Sequence, residues 1–301
     1  MNEQLSQEPK SRWKNEDIFA QGQWIKGYIH ENYSFATHTH DFCELNIVLS
    51  GAGTHCLGMG KYEITAGDVF VIPPGVSHSY SAAQQLDVYH LLIHSDFFQR
   101  YTAELGVLPG YTMLFTVEPQ LRMEPRFAEQ APRRFLRLDQ KRLDELMPVL
   151  MLISGLYYDE RPEKNIMANA LALYAVVFLC QRYREQYLND QQSRSVYFNA
   201  VAECLEDIDV HLSEEIRVEE LARKNGMSRS TFLRAFKCLT GQTPAKYILR
   251  RRMAQAKLLL LQSEKKISEI AADCGFYDSA HFIRLFEREE GRTPSEFRKR
   301  V

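Results

Sequence analysis

Six residues near the C-terminus recur about fifty positions further on. Phe232, Arg234, Phe236, Gly241, Thr243 and Pro244 return as Phe282, Arg284, Phe286, Gly291, Thr293 and Pro294. Upstream, Leu221-Ala222 and Gly226 return as Ile270-Ala271 and Gly275. Self-similarity at that period is one supersecondary unit used twice. Each copy reads as a short helix, a glycine turn and a second helix, the layout of a DNA-binding helix-turn-helix.

In the first copy Gly226 supplies the turn, Ser228 caps the second helix, and Phe232, Phe236 and Leu239 fall at helical spacing toward a core. That leaves Arg229, Ser230, Thr231, Arg234 and Lys237 for base edges and phosphates in a major groove. In the second copy Asp278 is the cap, Phe282 and Phe286 are core, and Ser279, Ala280, His281, Arg284 and Arg288 are the candidate contacts. Glu287 stands where the first copy has Lys237, so the second helix carries less positive potential. Each unit closes on Gly-x-Thr-Pro, with threonine as cap and proline in the first turn of a new helix. The helix from Pro244 to about Gln262 joins the units and is expected to present Arg250, Arg251, Arg252 and Lys257 on one side, with Arg251 meeting phosphate.

Charge is divided accordingly. From Ile216 onward 19 Lys and Arg stand against 10 Asp and Glu, a balance of +9, while the preceding residues carry 18 against 29, a balance of −11. A basic block suits a polyanion, and an acidic remainder is repelled from the same surface.

Gly226-Met-Ser-Arg-Ser-Thr-Phe-Leu-Arg-Ala-Phe-Lys and Gly241-Gln-Thr-Pro-Ala-Lys-Tyr resemble the AraC/XylS family of bacterial transcription regulators. So does Gly275-Phe-Tyr-Asp-Ser-Ala-His-Phe-Ile-Arg-Leu-Phe, ending Gly291-Arg-Thr-Pro-Ser-Glu-Phe-Arg. The resemblance spans about the last hundred residues. Glu287-Arg288 departs from it, because the family usually has two basic residues there. The family implies an N-terminal cupin-like domain that senses a small effector, frequently a sugar, and a partner in RNA polymerase.

Residues 22–94 alternate short apolar runs with glycine and proline punctuation at Gly51-Ala52-Gly53, Gly58-Met59-Gly60, Gly67 and Pro73-Pro74-Gly75, which predicts a sandwich or barrel. Within it His38, His40 and Glu44 share one strand face, and Pro73-Pro74-Gly75-Val76-Ser77-His78 follows. These patterns are similar to the two cupin motifs, which in cupin metalloenzymes give three His and one Glu to a metal. Three readings stay open: a metal-free pocket for a polar effector, a divalent metal on His38, His40, Glu44 and His78, or histidines that only fill the barrel. Tyr80 and Tyr89 are added as ring-stacking candidates, and the stretch from Ala66 to Ile93 is similar to sugar-responsive members such as the rhamnose regulators.

Between the halves, Leu138 to Tyr158 and Glu163 to Tyr187 read as helices. The uncharged run Ile166 to Cys180 is short of the ~20 residues that span a bilayer, so it is expected to pair two subunits in a homodimer. The N-terminus has no apolar core that would make it a signal peptide. The six cysteines form no CxxC pair, as in a reduced cytoplasmic protein.

The expected fold is α+β in two domains: a cupin-like β-barrel plus helices, then an all-α domain with two helix-turn-helix motifs. The expected boundaries are a mobile N-terminus at 1–20, the effector domain at 21–137, a helical dimerisation region at 138–190, a linker at 191–200 and the DNA-binding domain at 201–301. The function expected is a sequence-specific, double-stranded-DNA-binding activator with no enzymatic activity and no required cofactor. Two alternatives are a cupin metalloenzyme with a DNA-binding tail and a regulator that answers to a protein partner.

Overall fold

Two long strands organise the first half of the chain. The elements run β1 (Arg12–Trp13), α1 (Asn15–Ile18), β2 (Ile25–His30), β3 (Phe35–His40), β4 (Cys43–Leu57), β5 (Gly60–Thr65), β6 (Asp68–Ile72) and β7 (His78–Ile93). Then come α2 (Ser95–Arg100), α3 (Thr102–Gly106), α4 (Pro109–Thr112), a π-helical turn (Met113–Val117), α5 (Glu118–Met123), β8 (Leu136–Arg137), α6 (Gln140–Gly155) and α7 (Lys164–Asn189). This computed structural model describes residues 12–58, 60–123, 136–158, 161, 163–189 and 196–299.

β4 and β7 pair antiparallel along their whole lengths, from Cys43 opposite Ile93 to Leu57 opposite His78. Their first-joined halves carry β2, β6 and β8, and their other halves carry β3, β5 and β1. The register shifts between Val48 and Thr54, where Gly51 has φ +74° and Ala82 and Gln85 are also left-handed. A Cβ on Gly51 would stand 2.0 Å from the Gln85 carbonyl oxygen, so only glycine lets the strands approach there. Gly51-Ala52-Gly53, expected as a turn between short strands, is instead a kink inside one long strand. The fold-over buries Tyr33, Val48, Leu57, Ile64, Phe70, Ile72, Tyr80, Leu86 and Val88 in one cluster.

The sheet-rich N-terminal part and helical C-terminal part bear out the two-domain α+β expectation. Two details differ from the expected boundaries. Residues 12–20, placed in a mobile N-terminus, hold a strand paired to β3 and a Phe19 that is buried beside Phe42 and Leu92. Residues 1–11 and 190–195 lie outside the described residues, and the rest of the linker expected at 191–200 is helical, opening a helix at Val196. The second difference is in the division itself: one compact unit is Met1–Arg100 with Leu114–Ser195, the other Tyr101–Met113 with Val196–Val301. α3 and α4 therefore belong to the C-terminal unit. Leu105 is fully buried there, and a Cβ on Gly106 would stand 3.6 Å from Ala254 Cβ.

α7 contains Lys164–Gln186, a stretch long and apolar enough to cross a membrane, with 39% of its most apolar window buried. Within its own unit it packs on α6, β2 and β8. Ala168, Ala172, Ala175, Val176 and Leu179 face inward, while Ile166, Met167, Tyr174 and Val177 are exposed.

The C-terminal unit continues with α8 (Val196–Val210), α9 (Val218–Lys224), α10 (Arg229–Thr240), α11 (Pro244–Gln262), α12 (Ile267–Asp273), α13 (Ser279–Glu290) and α14 (Pro294–Arg298). The caps are those the sequence offers. Ser228, Thr243, Asp278 and Thr293 accept the N–H of Thr231, Lys246, His281 and Glu296, and Thr293 with Glu296 completes a capping box. Gly241 and Gly291 end α10 and α13 in the left-handed region.

Candidate functional site

Strand alternation brings the polar residues of the N-terminal unit together. β3 contributes His38 and His40, β4 contributes Glu44, Asn46 and His55, and β7 contributes His78, Tyr80 and His90; all are buried. Glu44 is the centre. Its Oε2 lies 2.9 Å from His40 Nε2 and 3.5 Å from His78 Nε2, and its Oε1 lies 2.6 Å from His90 Nδ1. The His38 ring lies 4.0 Å from the His78 ring, centroid to centroid. Burial works against the Glu44 charge, but the imidazoles of His40, His78 and His90 outweigh it and hold the carboxyl well below its usual range. Burial beside His78 pushes His38 down to about 4.

The backbone sets the tautomers. Nδ1 of His38 lies 2.9 Å from the Ala36 carbonyl, Nδ1 of His40 lies 2.7 Å from that of Phe42, and Nδ1 of His78 lies 3.2 Å from that of Val76. A carbonyl only accepts, so each Nδ1 carries a proton and each Nε2 faces the interior of the group. Nε2 of His90, both nitrogens of His55 and Oδ1 of Asn46 are buried without a hydrogen-bond partner. A native fold rarely gathers so many orphaned polar atoms without a ligand or water to satisfy them. His38, Glu44 and His78 also offer ligand atoms that all lie within 4.8 Å of one another, which suits a metal ion.

Of the six sequence-named effector residues, His38, His40, Glu44, His78 and Tyr80 meet here. Tyr89 does not. Its hydroxyl donates to the Leu150 carbonyl at 2.8 Å, on the opposite face of β7 against α6. The sequence reading also missed three residues of the group. His90 grips Glu44, Asn46 donates to the Tyr80 hydroxyl at 3.1 Å, and His55 stacks between Phe70 and Tyr80. A separate cleft of about 610 Å³ on this unit is lined by Lys14, Phe19, Gln23, Trp24, Asp41 and His94 among others.

In the C-terminal unit α10 buries Phe232, Ala235, Phe236 and Leu239 and exposes Arg229, Ser230, Arg234 and Lys237. Thr231 is half-buried beside the Ser228 cap. Arg229 is already engaged, donating through Nε to Glu219 Oε1 at 2.6 Å. α13 buries Phe282 and Phe286 and exposes Ala280, His281, Arg284, Glu287 and Arg288, with Ser279 half-buried. Arg288 pairs with Glu289 at 3.2 Å. Tyr277, just ahead of the Asp278 cap, is 99% exposed and was not among the expected contacts. It is the residue by which the second turn exceeds the first, since Gly226 precedes Phe232 by six positions and Gly275 precedes Phe282 by seven.

The expected common side of Arg250, Arg251 and Arg252 does not exist. Arg250 is exposed, but Arg251 is buried, bound through Nε to Asp209 at 2.7 Å and through Nη2 to the Val107 carbonyl at 3.2 Å. Arg252 donates to the carbonyls of Leu212 and Glu214 at 3.0 and 2.7 Å. Successive helical residues point ~100° apart, so three arginines in a row cannot share a face, and Arg251 is no phosphate contact.

Comparison with known proteins follows the same division. Residues 27–176 match the AraC-like ligand binding domain family, and residues 221–300 match a helix-turn-helix domain family. The chain is 29% identical over 266 residues to the HTH-type transcriptional activator RhaR of Enterobacter sp. (strain 638), covering 88% of each. It is 28% identical over 264 residues to the activator of the same name from Escherichia coli (strain K12), covering 88% of this chain and 87% of that one. A crystal structure of a transcriptional regulator with an AraC-type DNA-binding domain, from Chromobacterium violaceum, is 31% identical over 34% of this chain and 90% of that one, with a TM-score of 0.32.

Proposed function

The chain belongs to the AraC family, with an AraC-like ligand binding domain followed by a helix-turn-helix domain, and on that premise we propose that it is a sugar-responsive activator of transcription that reads double-stranded DNA with α10 and α13. The observation that carries this reading is the pair of capped helices that bury phenylalanines on one side and expose Arg229, Arg234 and Lys237, or His281, Arg284 and Arg288, on the other. Arg234 and Arg284 stand at equivalent places and are the base-reading candidates, with Ser230, Ala280 and His281 beside them. Lys237, Arg250 and Arg288 are assigned to phosphates, and Tyr277 joins them as a hydroxyl that can reach a phosphate oxygen. α10 sets sequence choice. Glu287 and Glu289 weaken the field of α13, which adds orientation, affinity or contact with RNA polymerase.

The effector is assigned to the space among His38, His40, Glu44, His78 and Tyr80, extended by Asn46, His55 and His90. A sugar suits these groups, because hydroxyls both donate and accept and the orphaned atoms include both needs. Tyr80, Tyr33 and Phe35 supply rings for its apolar face. The exposed apolar residues of α7, Ile166, Met167, Tyr174 and Val177, are assigned to a cytoplasmic homodimer. Two subunits would supply four recognition helices for paired half-sites. Gel-shift titration on the DNA upstream of the gene, with and without a panel of sugars, is the test. Equal affinity for that DNA and for random duplex at moderate salt would reject sequence-specific regulation.

A further inference from the structure

The cleft of about 610 Å³ on the N-terminal unit shares no lining residue with the group around Glu44. The segment 14–24 forms one side of it. Asp41 in the bend before β4, His94 at the end of β7 and Asp96 on α2 form the other. Its volume falls within the roughly 300–1,000 Å³ of small-molecule sites. The walls carry three carboxylates, Glu16, Asp41 and Asp96, against one ammonium, that of Lys14. Lys14 Nζ stands 3.1 Å from Glu16 Oε1, which leaves Asp41 and Asp96 as excess negative charge. His94 does not offset it. Its Nδ1 accepts the Asp96 N–H at 3.1 Å, so that nitrogen carries no proton and offers none to Asp96 Oδ1, 3.6 Å away. Oδ1 of Asp41 and Oδ1 of Asn15 are buried without a hydrogen-bond partner, and buried acceptors are ordinarily met by a donor from protein, water or ligand. The half-buried Trp24, and Phe19 packed edge-on against His94 with centroids 5.5 Å apart, supply the apolar part of the wall.

We propose that this cleft binds a small primary amine in its ammonium form, with Asp41 and Asp96 as counter-charges, Asn15 as a further acceptor and Trp24 as the aromatic wall. An ammonium group carries three donors and no acceptor, the complement of a cleft rich in unmet acceptors. It is also drawn to the face of an aromatic ring, to tryptophan most of all. An anion would be repelled, and a neutral polyol would leave the carboxylates uncompensated. The buried oxygens of Asn15 and Asp41 lie beneath the cleft surface, so a compact head with N–H groups suits them and a bulky quaternary ammonium does not. The segment that forms one wall is already held to the sheet, with Trp13 paired to His40 and Phe19 packed on Phe42 at 5.7 Å between centroids. A ligand touching both walls adds to that hold and stabilises the folded unit by mass action. The proposal draws on no residue of the effector space and stands apart from the DNA-binding reading.

The test uses the full-length chain with no DNA and no sugar present. Isothermal titration calorimetry at low ionic strength is run with putrescine, with the neutral diol of the same carbon chain, and with tetramethylammonium, and thermal unfolding is followed with each. The expected result is saturable one-site binding of putrescine with a rise in Tm, weaker binding of tetramethylammonium, and none of the diol. Asp96→Asn, at a half-exposed side chain, should weaken putrescine binding about tenfold or more without changing the Tm of the free protein. Lys14→Gln should tighten it by removing a like charge from the wall. Asp144→Asn, on α6 and outside the lining, should leave it unchanged. No saturable heat with putrescine into the tens of millimolar, or equal losses in Asp96→Asn and Asp144→Asn, overturns the proposal. Equal affinity for tetramethylammonium and putrescine overturns the assignment to a primary amine. Gel shift reads DNA binding separately.

Discussion

Arg251 donates through Nε to Asp209 Oδ1 at 2.7 Å, joining α11 to α8, with both side chains about nine-tenths buried or more. Removing one partner of such a pair strands a buried charge, at a cost of ~3–5 kcal/mol. Asp209→Ala should therefore lower the stability of the C-terminal unit by about that amount in chemical denaturation. Arg251→Met should lose a comparable amount, because it leaves the Asp209 carboxylate buried without that cation. Neither variant should change the slope of DNA affinity against salt once the folded fraction is accounted for. A reduced slope in Arg251→Met would restore it as a phosphate contact.

Arg234→Ala should weaken binding to the cognate site by ~1–3 kcal/mol and relax base preference at one position. The Arg284→Ala loss should be smaller, since Glu287 sits one turn away where α10 has Lys237. Competitive gel shifts against single-base operator variants would separate them. An unchanged base preference in Arg234→Ala would mean that α10 is oriented differently in the groove.

Tyr277→Phe isolates one hydroxyl on a fully exposed side chain. If that hydroxyl meets a phosphate, affinity should fall alike for cognate and random duplex, by about 0.5–1.5 kcal/mol, with no change in stability. Fluorescence anisotropy with both duplexes reads the difference.

His55→Phe should raise stability while damaging effector response. The ring stacks between Phe70 and Tyr80, and both of its nitrogens are orphaned. Replacing it with a ring of similar shape should recover ~1–3 kcal/mol of desolvation cost. Burial, then proximity to His78, holds the His55 pKa well below its usual range. In the unfolded chain the ring takes a proton near ~6.5. The stability of the neutral buried form is thus complete above that pH and drains away as pH falls below it. Thermal melts from pH 7 to 5 should show a shallower decline in the variant than in the parent.

Gly51→Ala tests the kink of β4. The added methyl would enter the Gln85 carbonyl and force a left-handed φ on alanine, costing about 1–3 kcal/mol of strain. A Tm equal to that of the parent would show that the sheet bends elsewhere.

The C-terminal unit was legible because its signals are local. A serine, threonine or aspartate ahead of a 3.6-residue apolar period gives both a helix start and its buried face, and the caps at Ser228, Thr243, Asp278 and Thr293 fall where that rule puts them. The same rule, applied to Arg250, Arg251 and Arg252, would have turned Arg251 inward. In the sheet, period two gathers His38 and His40 on β3 and excludes Tyr89 once Tyr80 faces in, but Glu44, expected on the same strand face, joins them from β4 across the bend at Asp41 and Phe42. The same alternation puts His90 on the Tyr80 face of β7. His55 was hidden for another reason. It reaches the group through the pairing of β4 with β7, and sequence spacing carries no signal of which strand lies beside which. The docking of 101–113 was invisible for the same cause, since its partners lie about a hundred residues away or more, at Tyr247 and Arg251.

Because Tyr101–Met113 belongs to the same unit as Val196–Val301, the DNA-reading domain is discontinuous in the gene. The chain passes from one unit to the other three times, so no single cut separates them whole. During synthesis the first piece of the C-terminal unit leaves the ribosome long before its partners on α11 are made. A reader fragment beginning at Val196 would expose Arg251 without the Val107 carbonyl and Tyr247 without Thr112. Domain exchange with another regulator would have to carry the short early segment along with the late one, and recombination at one junction would produce a mismatched hybrid.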